Sequence, residues 1–177
     1  PSSKRRRTGI DAPDPDNSTP IRSKIWMPYG DIILQAESTQ FRVNRDVLAH
    51  QSSVFRDMFS VPQPADEPTI EGCPIVQVFD KAKDWALLLE TLYNPCAFSS
   101  KYRFNAEKTL EFVVIAAMLR LGRKYDMPKV KNTALSRIHQ AVPSLSPLDM
   151  FTSERPSIAI KRGELVDLLN LVYECGL

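Results

Sequence analysis

A chain of 177 residues, 43% of them hydrophobic and 25% charged, fits one domain of ordinary size plus extensions and is long enough to bury a substantial core. The formal charge of +2 conceals a division: residues 1–28 carry six Lys or Arg against three Asp, whereas residues 29–177 carry 17 against 18. A body so near neutral lacks the broad basic face that phosphate neutralisation demands, so nucleic-acid binding by the folded part is not expected.

Residues 1–24 contain Pro13, Pro15 and Pro20 among Ser and Asp, with almost no large apolar groups. Such a composition cannot offset the entropy of ordering and predicts a disordered tail. Its one feature is Lys4-Arg5-Arg6-Arg7, which reads either as a nuclear import signal or as a solubilising basic run. Ile25, Trp26, Met27 and Tyr29 then anchor the chain. Trp26 either covers the end of the domain's own core or lies in a subunit interface.

Over residues 31–59 the hydrophobic period changes from two to helical spacing. Ile32, Leu34 and Ala36 alternate with Ile33, Gln35 and Glu37, and after a polar turn Phe41 and Val43 alternate with Gln40, Arg42 and Asn44. This predicts a hairpin with one buried face. Asn44 is placed to cap a short helix bearing Val47 and Leu48, and Ser52 or Ser53 to cap a second that carries Phe55, Met58 and Phe59. Residues 60–74 hold four prolines and read as an irregular connection, the kind of surface loop that often makes contacts. Residues 75–79 read as a third strand. Ala82, Trp85, Ala86, Leu89, Leu92 and Tyr93 mark an amphipathic helix stopped by Asn94-Pro95.

Asn105 suits the cap of a helix running to Lys124, apolar nearly all round and therefore expected at the centre. Asp126 and Pro128 suit the start of another, bearing Val130, Ala134, Leu135 and Ile138 and limited by Pro143. A capping box at Ser146-Pro147-Leu148-Asp149 predicts a short helix through Phe151, and Leu165, Leu168, Leu169 and Val172 predict a last helix over residues 158–175. Its apolar stripe needs a partner, either the domain itself or another chain.

The string Gly30-Asp31-Ile32-Ile33-Leu34, the spacing of Phe41, Val43, Arg45, Val47, Leu48 and Ala49, and Ser52, Val54, Phe55, Met58 and Phe59 together resemble the opening of BTB/POZ domains. Glu71-Gly72-Cys73-Pro74 and the run Leu88-Leu89-Glu90-Thr91-Leu92-Tyr93 are most similar to the fungal branch of that family. The resemblance implies an α+β fold in which a small sheet is flanked by a cluster of helices, with extra C-terminal helices. It divides the chain into a tail (1–24), a BTB/POZ domain (25–142) and a helical extension (143–177). It also implies a charged pairing of Asp31 with Arg45 near a protein interface; the bland alternative is a surface arginine beside a helix start, worth little energetically.

Chemistry beyond contact finds few candidates. His50 and His139 have no Cys, Asp or Glu at ligand or triad spacing. Cys73, Cys96 and Cys175 are widely spaced and odd in number, as expected of free thiols in a reducing compartment. No Gly-rich loop precedes a helix, and Asp66-Glu67 reads as a solvated pair in a proline-rich loop. No apolar run approaches the roughly 20 residues that cross a bilayer, and the N-terminus lacks a signal-like segment. The first residue is Pro1 rather than methionine, so the sequence can be a piece of a longer one.

The expectation is an intracellular protein, nuclear or cytoplasmic, with no enzymatic activity, cofactor, metal or membrane partner. Its function would be protein–protein interaction by self-association, as a homodimer, or by partner recruitment. The alternatives are a substrate adaptor for a cullin-type ubiquitin ligase and a nuclear transcription or chromatin regulator whose basic tail contacts nucleic acid. Family members that bind cullin scaffolds place a hydrophobic-x-acidic motif after the Met58-Phe59 position; here Ala65-Asp66-Glu67 offers only a small anchor. The interface candidates are Trp26, Asp31, Arg45, Met58, Phe59, Asp66 and Glu67.

Overall fold

The computed structural model describes residues 19–62, 68–94, 110–141, 158–159, 170, 171 and 173. Lys4, Arg5, Arg6, Arg7, Asp66, Glu67, Cys96 and Cys175, and the helix expected at residues 146–151, lie outside them.

The two alternating runs form β2 (Ile32–Ala36) and β3 (Thr39–Val43), paired antiparallel with Leu34 opposite Phe41. Ile32, Leu34, Ala36, Phe41 and Val43 are fully buried on one face, as the alternation requires. The other face is less polar than expected: Ile33 is equally buried and Gln40 is nearly so, its amide donating to Gln35 at 2.8 Å. Burial on both faces follows from position. β2 sits in the middle of a five-stranded sheet of order β1-β3-β2-β5-β4.

Two of those strands were not legible. β1 (Ile21–Trp26) runs parallel to β3, beginning where the Ile21 N–H meets the Ser38 carbonyl at 2.7 Å. The stretch read as an irregular connection contains β4 (Thr69–Ile70), which turns back on β5 (Cys73–Val78) through Glu71 and Gly72, both at positive φ (52° and 75°). That pair of left-handed residues makes the two-residue turn whose twist suits a hairpin. β5 lies parallel to β2, Ile33 opposite Ile75 and Gln35 opposite Gln77.

Helices α1 (Arg45–Gln51) and α2 (Ser53–Ser60) follow the hairpin, and α3 (Ala82–Tyr93) follows β5. The Glu37 carboxylate accepts from the Ala82 N–H at 3.0 Å and so caps α3 from the β2–β3 turn. The next helix starts later than its apolar stripe suggested. Leu110–Glu111 form β6, paired parallel with β7 (Ile158–Ala159), and α4 runs over Phe112–Lys124. The same pairing corrects the start of the last predicted helix, since Ile158 and Ala159 are extended. Two-residue strands carry no periodicity of their own.

α4 is central, with Phe112, Val114, Ile115, Met118, Leu119 and Leu121 buried. It ends at Asp126, whose φ of 46° lets the Met127 N–H reach back to the Gly122 carbonyl at 2.7 Å and the Asp126 N–H to Arg123 at 3.3 Å, a Schellman closure. α5 (Pro128–Ala141) follows directly. Gly122 allows a close approach of α4 and α5: a Cβ on it would stand 3.0 Å from the Lys131 backbone nitrogen, tighter than ordinary contact. Leu171 is fully buried in this core; Leu165, Leu168, Leu169 and Val172, the expected apolar stripe, lie outside the described residues.

Candidate functional site

Asp31 and Arg45 meet because the hairpin returns the chain. Asp31 precedes β2 and Arg45 follows β3, whose last residue pairs with Ile32. The Asp31 carboxylate accepts from the Arg45 backbone N–H at 2.7 Å and lies 3.7 Å from Nε of the Arg45 guanidinium. Asp31 is thus the helix cap that Asn44 was expected to be. The Asn44 side chain instead donates to the Tyr29 carbonyl at 2.8 Å, and its backbone N–H donates to the Tyr93 hydroxyl at 2.7 Å. Burial raises the Tyr93 phenol above its ordinary value, with the Asn44 N–H opposing that shift.

The start of α2 is pinned more deeply. Ser52 accepts from the Phe55 N–H at 3.0 Å and donates to the Tyr125 carbonyl at the α4–α5 corner, while Ser53 donates to Asp126. Phe55 stacks on Tyr125 at 4.9 Å and meets Trp85 edge-on at 5.8 Å. Tyr125 donates in turn to Asp80 at 2.5 Å, and Lys124 pairs with the same carboxylate at 2.7 Å. Burial and the bond to Asp80 hold the Tyr125 phenol far above its ordinary value. These contacts fix α2 in register, and with it the next turn: Phe59 stacks on Phe55 at 5.7 Å, and the Arg45 guanidinium lies over the Phe59 ring at 5.4 Å.

Arg45, Met58 and Phe59 therefore converge, and with Ile32 they form one wall of a cleft of about 200 Å³ whose other wall is residues 74–77 of β5. Arg45 is the one charged group in the lining, and its Nε is hidden from solvent without a hydrogen-bond partner among the described residues. The contribution of β5 was not foreseen. Pro74 inside a strand-forming run was the available signal, since proline in a strand marks an edge.

Trp26 stands apart from the cleft. It is half-buried beneath the Arg22 guanidinium, 4.4 Å from the ring centroid, and is absent from the core, which Ile25 enters in its place. Alternation along β1 explains the exchange. Trp26 pairs in register with Arg42, and Glu71 bridges Arg42 at 3.1 Å and Arg22.

Of the other groups considered for chemistry, His50 is exposed and Cys73 is a buried free thiol 3.4 Å from the Gly30 carbonyl. Among the described residues no three His, Cys, Asp or Glu side chains gather as a metal site, and no helix is long and apolar enough to cross a membrane.

A five-stranded sheet packed with helices, bearing a cleft with one cation among mostly apolar side chains, defines an α+β domain. The BTB/POZ domain family model matches residues 26–140, and the chain belongs to the BTB/POZ family, whose domains are protein–protein interaction modules and in general noncatalytic. Among solved structures, the chain is similar to the BTB domain of zebrafish PATZ1, with 16% identity over 63% of this chain and 77% of that one and a TM-score of 0.45. No curated protein matches the chain.

Proposed function

We propose that the chain recruits a protein partner, or a second copy of itself, through the cleft between α2 and β5. The supporting observation is the convergence of Arg45, Met58 and Phe59, from two helices, on one opening in which Arg45 is the one charged residue of the lining. An apolar wall beside one fixed charge is the arrangement in which a few buried side chains carry most of a binding energy. Asp31 belongs to this reading as the group that orients Arg45, and Trp26 as a separate, half-buried contact on the other face of the sheet.

The similarity of Glu71-Gly72-Cys73-Pro74 to fungal relatives supports placement in that branch. A division into tail (1–24), domain (25–142) and extension (143–177) is part of the same reading. Neither the cullin-adaptor nor the chromatin-regulator reading gains a specific observation, because Asp66, Glu67 and the basic run of residues 4–7 lie outside the described residues.

The test is affinity purification from the native cell with the wild-type chain and with Arg45→Glu, quantified by mass spectrometry, beside light scattering of both. Either a partner or a concentration-dependent dimer is expected from the wild type and not from the folded variant. An identical partner list and mass for both would remove the cleft from the function.

A further inference from the structure

We infer that Glu71 closes an ionic strap across the outer face of the sheet, one that ties β1 to the β4–β5 turn and keeps Ile33 and the Cys73 thiol covered until ionic competition opens it. Alternation sets Ile33 and its partners Arg42 and Ile75 on the face opposite Ile32 and Leu34, and Cys73, two residues before Ile75, on the same outer face. Ile33 and Cys73 are buried, yet neither belongs to the cluster of buried residues that makes the core. Their cover comes from the outer side of the sheet.

Three charged side chains reach across that side. Arg42 Nε donates to the Gly30 carbonyl at 2.9 Å and its Nη1 to the Glu71 carboxylate at 3.1 Å. The same Gly30 carbonyl accepts from the Cys73 thiol at 3.4 Å, so the thiol and this leg of the strap share one acceptor. The other Glu71 oxygen accepts from Arg22, whose guanidinium also lies over the Trp26 ring. β3 and β2 stand between β1 and β5 in the sheet, so the Arg22 bond to the turn spans three strand spacings, about 14 Å if the sheet were flat. Arg22 is level with Gln40, and through it with Gln35, whereas Cys73 lies two residues before the partner of Ile33. The line joining Arg22 to the turn therefore crosses β2 beside Ile33.

The turn itself gains nothing from a glutamate. Glu71 holds a φ of 52°, a left-handed conformation that suits Gly or Asn and that other L side chains rarely adopt, while its carboxylate is what both arginines meet. The two legs differ in exposure. The Arg22 side chain is 58% exposed and that of Arg42 only 20%. Exposed pairs are weak singly and screened by salt, so the Arg22 leg opens first and uncovers Ile33 and the thiol while the core stays folded.

The experiment alkylates the full chain with N-ethylmaleimide under native conditions and follows Cys73 by peptide mass spectrometry in the wild type, Glu71→Asn and Arg22→Gln. Asparagine keeps the left-handed turn and removes the charge that closes the strap. Cys73 should label about fivefold faster in Glu71→Asn than in the wild type at low salt, and by a smaller factor in Arg22→Gln. The wild-type rate should rise toward that of Glu71→Asn as sodium chloride reaches about 1 M, and all rates should stay flat in low urea, the mark of local opening. A Cys73 rate unchanged in Glu71→Asn, or indifferent to salt in the wild type, would overturn the strap. Opposite changes in the two variants would overturn it as well, because they would report the loss of a negative and of a positive charge beside the thiolate rather than a shared opening. Rates that climb with urea in step with global unfolding would do the same, since the thiol would then be reached only through the unfolded chain.

Discussion

Asp31 does two things at unequal value. Its hydrogen bond to the Arg45 N–H replaces the missing side-chain cap of α1, worth about 1 kcal/mol, while its contact with a guanidinium that is 37% exposed is a surface pair worth well under that. Asp31→Ala should therefore cost about 1 kcal/mol and Arg45→Ala a few tenths, with a small coupling in a double-mutant cycle read by denaturant melts. Equal costs and a large coupling would make the ion pair dominant. The resemblance to known relatives marked this pair, whereas the division of labour between cap and charge depends on backbone geometry that the residue identities do not carry.

Two titrating groups test the packing that holds α2 and α3. Burial raises the Asp84 carboxyl above 3.8, with Arg120 at 3.7 Å opposing that rise. A raised carboxyl means that ionisation costs the fold, so the Asp84 contribution is whole below 3.8 and falls as pH rises through the folded value. Asp84→Asn should match or exceed wild-type stability at pH 7, and the difference should shrink as the solution approaches pH 3.8. Tyr125, also raised, favours the fold below its ordinary 10.0 and loses that advantage at higher pH. An ultraviolet phenolate titration should show one tyrosine ionising only as the chain unfolds, absent in Tyr125→Phe.

At the scale of elements, the hairpin, α3 and the central α4 were legible because each carries its own period. β1, β4 and the β6–β7 pair were not: their partners are distant in sequence, or the strands last two residues. The Glu71-Gly72 turn was visible as residue types, but the prolines around it argued for an irregular loop. Gly30 is the sharpest example of a constraint hidden from sequence. A Cβ there would fall 2.8 Å from the Arg42 side chain and 3.0 Å from the Val43 backbone, and the Gly30 carbonyl accepts from Arg42 Nε at 2.9 Å. Gly30→Ala should destabilise by about 1–3 kcal/mol; a calorimetric melt unchanged from wild type would mean that the β2–β3 end yields more freely than this geometry allows.

For the whole molecule, Ile158, Ala159 and Leu171 are part of the body they follow. β7 pairs with β6 at the entrance to α4, and Leu171 is fully buried in the same core as Phe55 and Trp85. Leu171→Ala should cost about 2–5 kcal/mol, as for other buried leucines, and deletion of the residues after 142 should lower the melting temperature further. The cleft was half legible for the same reason the fold was. Arg45, Met58 and Phe59 stand in one continuous stretch of sequence, while the β5 wall arrives through a parallel pairing that no local pattern announces.

The most direct measurement is amide hydrogen exchange on the full chain, free and saturated with its bound partner. The Ile75, Val76 and Gln77 amides beside the cleft should exchange more slowly on binding, together with the turn of α2 that carries Met58 and Phe59. Protection confined to other surfaces, with those amides unchanged, would contradict the assignment of the cleft as the docking site.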